Sequence, residues 1–332
     1  MAWYNYDRIL SFNMHFHMIL TNRGFGKTFG AKKRAIDNFL KRGEQFIYVR
    51  RFKTEFKKIS KFFDDISMFY EGHTFKVNGN TFYIDGKIAG YAIPLTTSQN
   101  EKSTPYPLVT TIIFDEFIRD KKLGTQYLPN EVDTLLELIS TIVRKRDNWR
   151  CFLLANNISQ VNPYFKYFDI KMKDDERFYQ IRERGIIVER NTDDVFVEEM
   201  KGTAFGKLIA NTKYSDYAID NKALRDSDTF IERIPLKLLK PLYALQYNNM
   251  RIQVWIHKKE DLIYCNEKHV DGQEVISLVA DDHDETSILN GKTIKISFIS
   301  EMIKQFQVGK LRFENQDVKQ CVYEIFKKLG VS

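Results

Sequence analysis

Only three cysteines occur in 332 residues, Cys151, Cys265 and Cys321; they are odd in number, widely spaced and form no C-x-x-C pair. That excludes a disulfide framework and leaves three reduced core thiols, as expected of an intracellular protein. No run approaches the roughly 18 apolar residues of a membrane span. The start Met1-Ala2-Trp3-Tyr4 lacks the basic-then-apolar layout of a secretory signal. The six histidines are scattered without metal-ligand spacing, so no zinc is expected. The acidic run at 281–285 lies on one loop, from which adjacent carboxylates do not easily converge on one ion, and no nuclease metal is assigned there.

What is present suits a soluble globular chain: 43% hydrophobic and 29% charged residues, with a length that favours two domains over one. A net charge of +7 permits a polyanionic partner such as nucleic acid, although it also suits ordinary solubility.

The most informative stretch is Thr21-Asn22-Arg23-Gly24-Phe25-Gly26-Lys27-Thr28. It follows an apolar run at 16–20 and precedes a helical pattern at 29–42, so a buried strand is expected to turn into a helix N-terminus there. Amides of such a glycine-containing turn and the positive end of the helix dipole converge on an anion. Arg23, Gly24 and Gly26 would line the phosphates, Lys27 would reach the β/γ-phosphates and the Thr28 hydroxyl would ligate Mg²⁺. The pattern G-x-x-x-x-G-K-[ST] has Gly first, and Thr21 stands in that place.

A second strand at 45–50 and an amphipathic helix from 51 to about 70 are expected next, and the alternation implies a mostly parallel sheet. Short strands at 74–77, 81–84 and 87–93, divided by Asn78-Gly79 and Asp85-Gly86, suggest an antiparallel insertion at a sheet edge. The polar segment 96–105 has the composition of a surface loop.

The run 108–114 ends in Asp115-Glu116. A carboxylate at the tip of a strand beside the phosphate loop can hold Mg²⁺, and the next can deprotonate the attacking water, so Asp115 is the metal-side candidate and Glu116 the general base. The bland alternative is a strand that simply ends in carboxylates. A helix capped by Asn130 should run to Arg144-Lys145-Arg146; this cluster either complements the helix dipole or offers an arginine finger to a neighbouring subunit. The strand 150–155 ends in Asn156-Asn157, which is either a γ-phosphate contact or a turn.

After a hairpin at 177–190 and one helix through 196–208, the stretch 213–228 reads as a linker. A three-stranded antiparallel meander at 242–266, a strand at 274–279 and helices at 297–307 and 315–329 complete a small α+β domain. The expected division is therefore 1–212 and 229–332.

These features resemble the genome-packaging ATPases of small tailed bacteriophages with protein-primed linear DNA, relatives of terminases and FtsK/HerA-like ring motors. The resemblance runs through Gly43-Glu44-Gln45-Phe46-Ile47-Tyr48-Val49-Arg50-Arg51, Phe114-Asp115-Glu116-Phe117-Ile118-Arg119 and the shorter blocks 82–87, 92–95, 101–103, 129–132, 162–165 and 311–316. It implies an ASCE-type P-loop domain, with a C-terminal domain resembling an RNase H-type nuclease fold that has lost its metal carboxylates. It also implies a homopentameric ring at the portal vertex of a capsid, docked through a structural RNA in the host cytoplasm, that hydrolyses ATP with Mg²⁺ to drive double-stranded DNA inward. By position it makes Arg144 the trans-acting finger with Arg146 as runner-up, Lys102 a second trans residue, Asn156 a coupling residue and Lys53 a DNA contact. A nuclease-competent terminase and a nucleotide-gated scaffold with little turnover are the rival readings.

Overall fold

The structure, a computed structural model, describes residues 4–119, 127–156, 162–172, 176–191, 194–210, 212, 229–247, 250–289 and 295–330. The chain divides into two compact units, Met1–Leu224 and Arg225–Ser332. The expected linker at 213–228 lies outside the described residues.

The first unit runs α1 (Asp7–Leu10), β1 (Phe16–Thr21), α2 (Lys27–Arg42), β2 (Gln45–Arg50), β3 (Phe75–Asn78), β4 (Thr81–Ile84), β5 (Lys87–Pro94), β6 (Val109–Asp115), α3 (Glu131–Val143), β7 (Arg150–Asn156), α4 (Pro163–Phe168), β8 (Phe178–Ile181), β9 (Ile186–Asn191), α5 (Asp194–Gly202) and α6 (Ala204–Ile209). Its nine strands form one sheet in the order β3-β4-β5-β2-β6-β7-β1-β9-β8. The six central strands, β5 to β9 in that order, are parallel, and hairpins close both edges. Both faces of this sheet are covered, so β1 and β6 are buried along their whole length and read as continuous apolar runs without alternation. Phe16, Met18 and Leu20 pack with α3 and α4 on one face, and Ile19 packs with α2 on the other.

Four local expectations are corrected. Residues 51–70 form three separate 3₁₀ turns, Lys53–Phe56, Ile59–Lys61 and Ser67–Phe69, and not a helix. The buried Lys32 ammonium takes the carbonyl of Phe62 at 2.8 Å and pairs with Asp65 at 3.0 Å, removing an acceptor a continuous helix would use itself. The polar segment after β5 is not a loop at its start, because Leu95–Glu101 winds as a 3₁₀ helix in which the Ser98 hydroxyl donates to the Leu95 carbonyl at 2.9 Å. Asn130 makes no side-chain cap; it adopts φ 49°, and its carbonyl accepts from the Thr134 amide and hydroxyl. The single helix expected through 208 breaks at Thr203, whose hydroxyl caps α6 by accepting from the Gly206 amide at 2.9 Å.

The second unit carries β10 (Leu239–Tyr247), β11 (Met250–His257), β12 (Ile263–Asn266), β13 (Val275–Ser277), β14 (Ile288–Leu289), α7 (Lys295–Gln307), β15 (Leu311–Phe313) and α8 (Gln316–Lys328). Its sheet order is β14-β13-β10-β11-β12-β15. The meander β10 to β12 is antiparallel, whereas β13 and β14 continue parallel to β10, and β15 lies parallel to β12. The main core joins the sheet to both helices through Ile252, Val254, Met302, Phe313, Val322 and Ile325.

Candidate nucleotide site

β7 lies between the strands that carry the two sequence motifs, so Asp115 is not on the strand next to the phosphate loop, as expected, but one strand further out. Registers align Thr21 with Asn156 and Asp115 with Leu154, which puts the Asn156 tip between Lys27 and Asp115.

The loop is shaped by two glycines in the left-handed region, Gly24 at φ 83° and Gly26 at φ 81°, where a Cβ would be strained. Gly26 precedes the first residue of α2, and the Gly30 amide reaches back to the Gly26 carbonyl at 2.8 Å. The positive end of the α2 dipole therefore faces the loop. Thr21 is buried, and its hydroxyl donates to the Asn22 carbonyl at 3.0 Å, so the residue in place of the usual first glycine is accommodated. The N-terminal segment pins this loop from behind: the Tyr4 amide donates to the Phe25 carbonyl at 3.0 Å and the Tyr6 hydroxyl to the Lys27 carbonyl at 2.6 Å. The Tyr6 ring lies against Gly30, where an added Cβ would come within 2.7 Å of it.

The Lys27 ammonium donates to the Asn156 side-chain oxygen at 2.6 Å. Burial lowers its pKa to about 8, a shift that Asp115 and Glu116 oppose and Arg23 reinforces. The Thr28 hydroxyl lies 3.2 Å from both Asp115 oxygens. Two oxygens on one octahedral Mg²⁺ at about 2.05 Å sit about 2.9 Å apart, so this pair fits adjacent positions on a hard cation. Asp115 also accepts from the Tyr48 hydroxyl at 2.9 Å. Burial, then the Asp115 charge, pushes the Tyr48 phenol well above its ordinary range.

Glu116 adopts φ 60°, and its carboxylate, 61% exposed, pairs with Arg50 at 2.8 Å. Arg50 also lies 3.5 Å from Asp115 and 3.5 Å from Glu55, in the turn that carries the exposed Lys53. Burial alone would depress the Arg50 guanidinium, but Tyr48, Asp115, Glu116 and Glu55 together raise it.

Sequence reasoning missed the roles of Tyr48, Arg50, Arg51 and Glu131. The doublet Arg50-Arg51 at the end of a buried strand was the available signal, since a guanidinium there needs acceptors. Arg51 is 1% exposed and donates to both oxygens of Glu131 at 2.6 and 2.8 Å; the Glu131 side chain is 0% exposed. The same guanidinium donates to the Glu116 carbonyl at 3.1 Å and the Phe117 carbonyl at 2.7 Å. Glu131 further accepts from the Tyr164 hydroxyl at 2.7 Å and the Leu128 amide at 2.9 Å.

The basic cluster separates into two environments. Arg146 donates to four carbonyls, those of Tyr106, Pro107, Val109 and Ile142, at 2.7–3.0 Å. Arg144 is exposed and ends α3 with φ 50° and ψ −113°, a conformation unusual for a residue with a Cβ. Lys102, half exposed, lies 3.5 Å from Glu137 on α3.

A family model described as Podovirus DNA encapsidation protein (Gp16) matches residues 1–331. The chain belongs to this family. The DNA packaging protein of Bacillus phage B103 is 43% identical over 328 residues, 98% of this chain and 99% of that protein. A solved structure described as the bacteriophage Phi-29 viral genome packaging motor assembly superposes with a TM-score of 0.82 at 38% identity, over 99% of this chain and 100% of that one. The N-terminal domain of the DNA packaging ATPase from bacteriophage phi29 superposes with a TM-score of 0.54 at 43% identity, covering 57% of this chain and 97% of that one. The encapsidation family thus supplies the context for a mixed α/β fold with a large, mostly parallel sheet.

Proposed function

We propose that this encapsidation protein is the ATPase subunit of a homo-oligomeric ring that drives double-stranded DNA into a preformed capsid. The observation that carries the reading is the convergence of Lys27, Thr28, Asp115 and Asn156, from two strand tips and a helix N-terminus, on one point. The triphosphate lies along the loop of Arg23, Gly24 and Gly26; its γ-phosphate takes the Lys27 ammonium from Asn156, which thereby registers its presence or loss. Thr28 and Asp115 would hold Mg²⁺, which when bound would supply neutralisation of the phosphate charge. Glu116, once released from Arg50, accepts a proton from the water that attacks the γ-phosphorus, and ADP leaves with the bridging oxygen.

Arg144 completes the neighbour's site as a trans finger, with Lys102 as a second trans residue; the four carbonyls around Arg146 support an anchoring role for that residue. Lys53 contacts the DNA backbone. Arg50 touches both Glu116 and the Glu55 of the Lys53 turn, which supports a short path from hydrolysis to grip. The relative's motor assembly supports docking at a portal, and a structural RNA and a pentameric ring belong to the same reading. The β12-β11-β10-β13-β14 order, with β13 and β14 parallel to β10, supports an RNase H-type second unit, and neither β10 nor β13 contains Asp or Glu. We assign that unit, about residues 229–332, to binding.

The test is ATP turnover of the full chain with and without double-stranded DNA across a salt series. DNA stimulation that fades with salt and vanishes in Glu116→Gln supports the reading. DNA-independent turnover, or turnover unaffected by that substitution, overturns it.

A further inference from the structure

Arg51 and Glu131 lie outside the set that touches nucleotide, yet they form the most completely buried ion pair among the described residues. Replacing such pairs by apolar residues is often neutral or stabilising, so a buried pair is poor evidence of a stability role. What distinguishes this one is what it joins. The guanidinium holds the main-chain carbonyls of Glu116 and Phe117, directly behind the carboxylate that faces the reacting water. The carboxylate is the first residue of α3, and it gathers the Tyr164 hydroxyl from α4 and the Leu128 amide as well. Glu131 thus accepts four hydrogen bonds and Arg51 donates four, which leaves this junction little freedom.

α3 is 13 residues long, which at 1.5 Å per residue is about 20 Å of rigid rod. Its near end is Glu131 and its far end is Arg144. Glu116 is in the left-handed region at φ 60°, a conformation an ordinary residue keeps only where its surroundings hold it there.

We propose that the Arg51–Glu131 pair is a positioning strut that ties the main chain of Glu116 to α3, so that one subunit's hydrolysis loop and the arginine it offers its neighbour move together. This rests on the proposed trans role of Arg144. A shift of the Glu116 carbonyl is passed by Arg51 to Glu131 and by the helix to Arg144, with no side chain of the strut touching the nucleotide. Arg51 is suited to the task because its planar fork engages four acceptors at once, which a lysine cannot do.

The experiment uses mixed rings of the full-length protein. Lys27→Ala subunits make no turnover of their own, so in a mixture with wild-type subunits they act on a neighbour's site only through the residues they offer in trans, Arg144 and Lys102. Three mixtures with wild type at equal ratio are compared: Lys27→Ala, Lys27→Ala/Arg144→Ala and Lys27→Ala/Glu131→Gln. The strut requires the third to lose DNA-stimulated turnover relative to the first, by several-fold and toward the second. If the second matches the first, the trans finger itself fails, and the strut with it. If the second falls while the third matches the first, the finger stands and the strut is overturned. Tyr164→Phe in place of Glu131→Gln keeps the ion pair, and it should give a smaller loss of the same kind. As a positioning residue, Glu131→Gln in a uniform ring should lower kcat about 10-fold or more with the KM for ATP within twofold; a matched rise in KM would instead mean a collapsed loop and overturn the assignment.

Discussion

The Lys27 ammonium and the Asn156 side-chain oxygen lie 2.6 Å apart, with Lys27 at the mouth of the phosphate loop and Asn156 at the tip of the strand inserted between the two motifs. Any anion that enters the loop competes with Asn156 for the same cation. The charge on Lys27 is also marginal, because burial brings its pKa to about 8.

A pH dependence follows from that value. Between about pH 8 and 10.5 the folded protein has lost a proton that the unfolded chain still holds, so this group's contribution to folding stability rises with pH across that window and is least favourable below it. ATP binding has the opposite trend, since the phosphate needs the charged form. Its affinity should fall as pH climbs above 8, by up to about tenfold per unit, with one proton taken up on binding. Calorimetric titration in buffers of different ionisation enthalpy measures that proton, and Lys27→Met should abolish the uptake. Asn156→Asp, which sets a carboxylate against the ammonium, should weaken ATP binding about tenfold.

Glu116→Gln removes the proposed base and leaves Thr28, Asp115 and Lys27 in place. Turnover should drop by about 10² to 10⁴. Equilibrium binding of ATP, followed with a fluorescent analogue, should change little; parallel loss of binding would show that Glu116 is part of the loop's architecture.

Arg144 and Arg146 should separate cleanly. Arg144→Gly relieves φ 50°, ψ −113° and should stabilise the first unit by about 1 kcal/mol in chemical denaturation, while DNA-stimulated turnover is lost. Arg146→Ala leaves carbonyls without their donor and should destabilise by about 2 kcal/mol, with turnover per folded molecule retained.

Lys53 is exposed on a 3₁₀ turn, and its substitution should act on grip alone. With Lys53→Ala, DNA affinity should fall uniformly across sequences, and the slope of log affinity against log salt should decrease by about one for each phosphate no longer neutralised. DNA-free ATP turnover should not change.

The strand–turn–helix at 16–42, the parallel sheet around it and the meander of the second unit were legible because their signals are local. Glycines at positive φ, apolar runs and turn pairs act within a few residues, and the chain at 16–42, 109–115 and 239–266 follows them. The segment at 51–70 was not legible, because its periodicity competed with Lys32, which is distant in sequence and takes the Phe62 carbonyl.

The sequence by itself determined that this chain carries a glycine-containing strand-to-helix turn ending in Lys27-Thr28 and a pair of strand-end carboxylates, since both depend on which residues are adjacent. Only the tertiary structure decided that Asn156 stands between them, that Arg146 is anchored while Arg144 is exposed, and that Glu131 is buried against Arg51. Each of those depends on burial and on hydrogen-bond partners supplied from far along the chain, and a side chain such as Glu131 looks the same in sequence whether it faces water or a guanidinium.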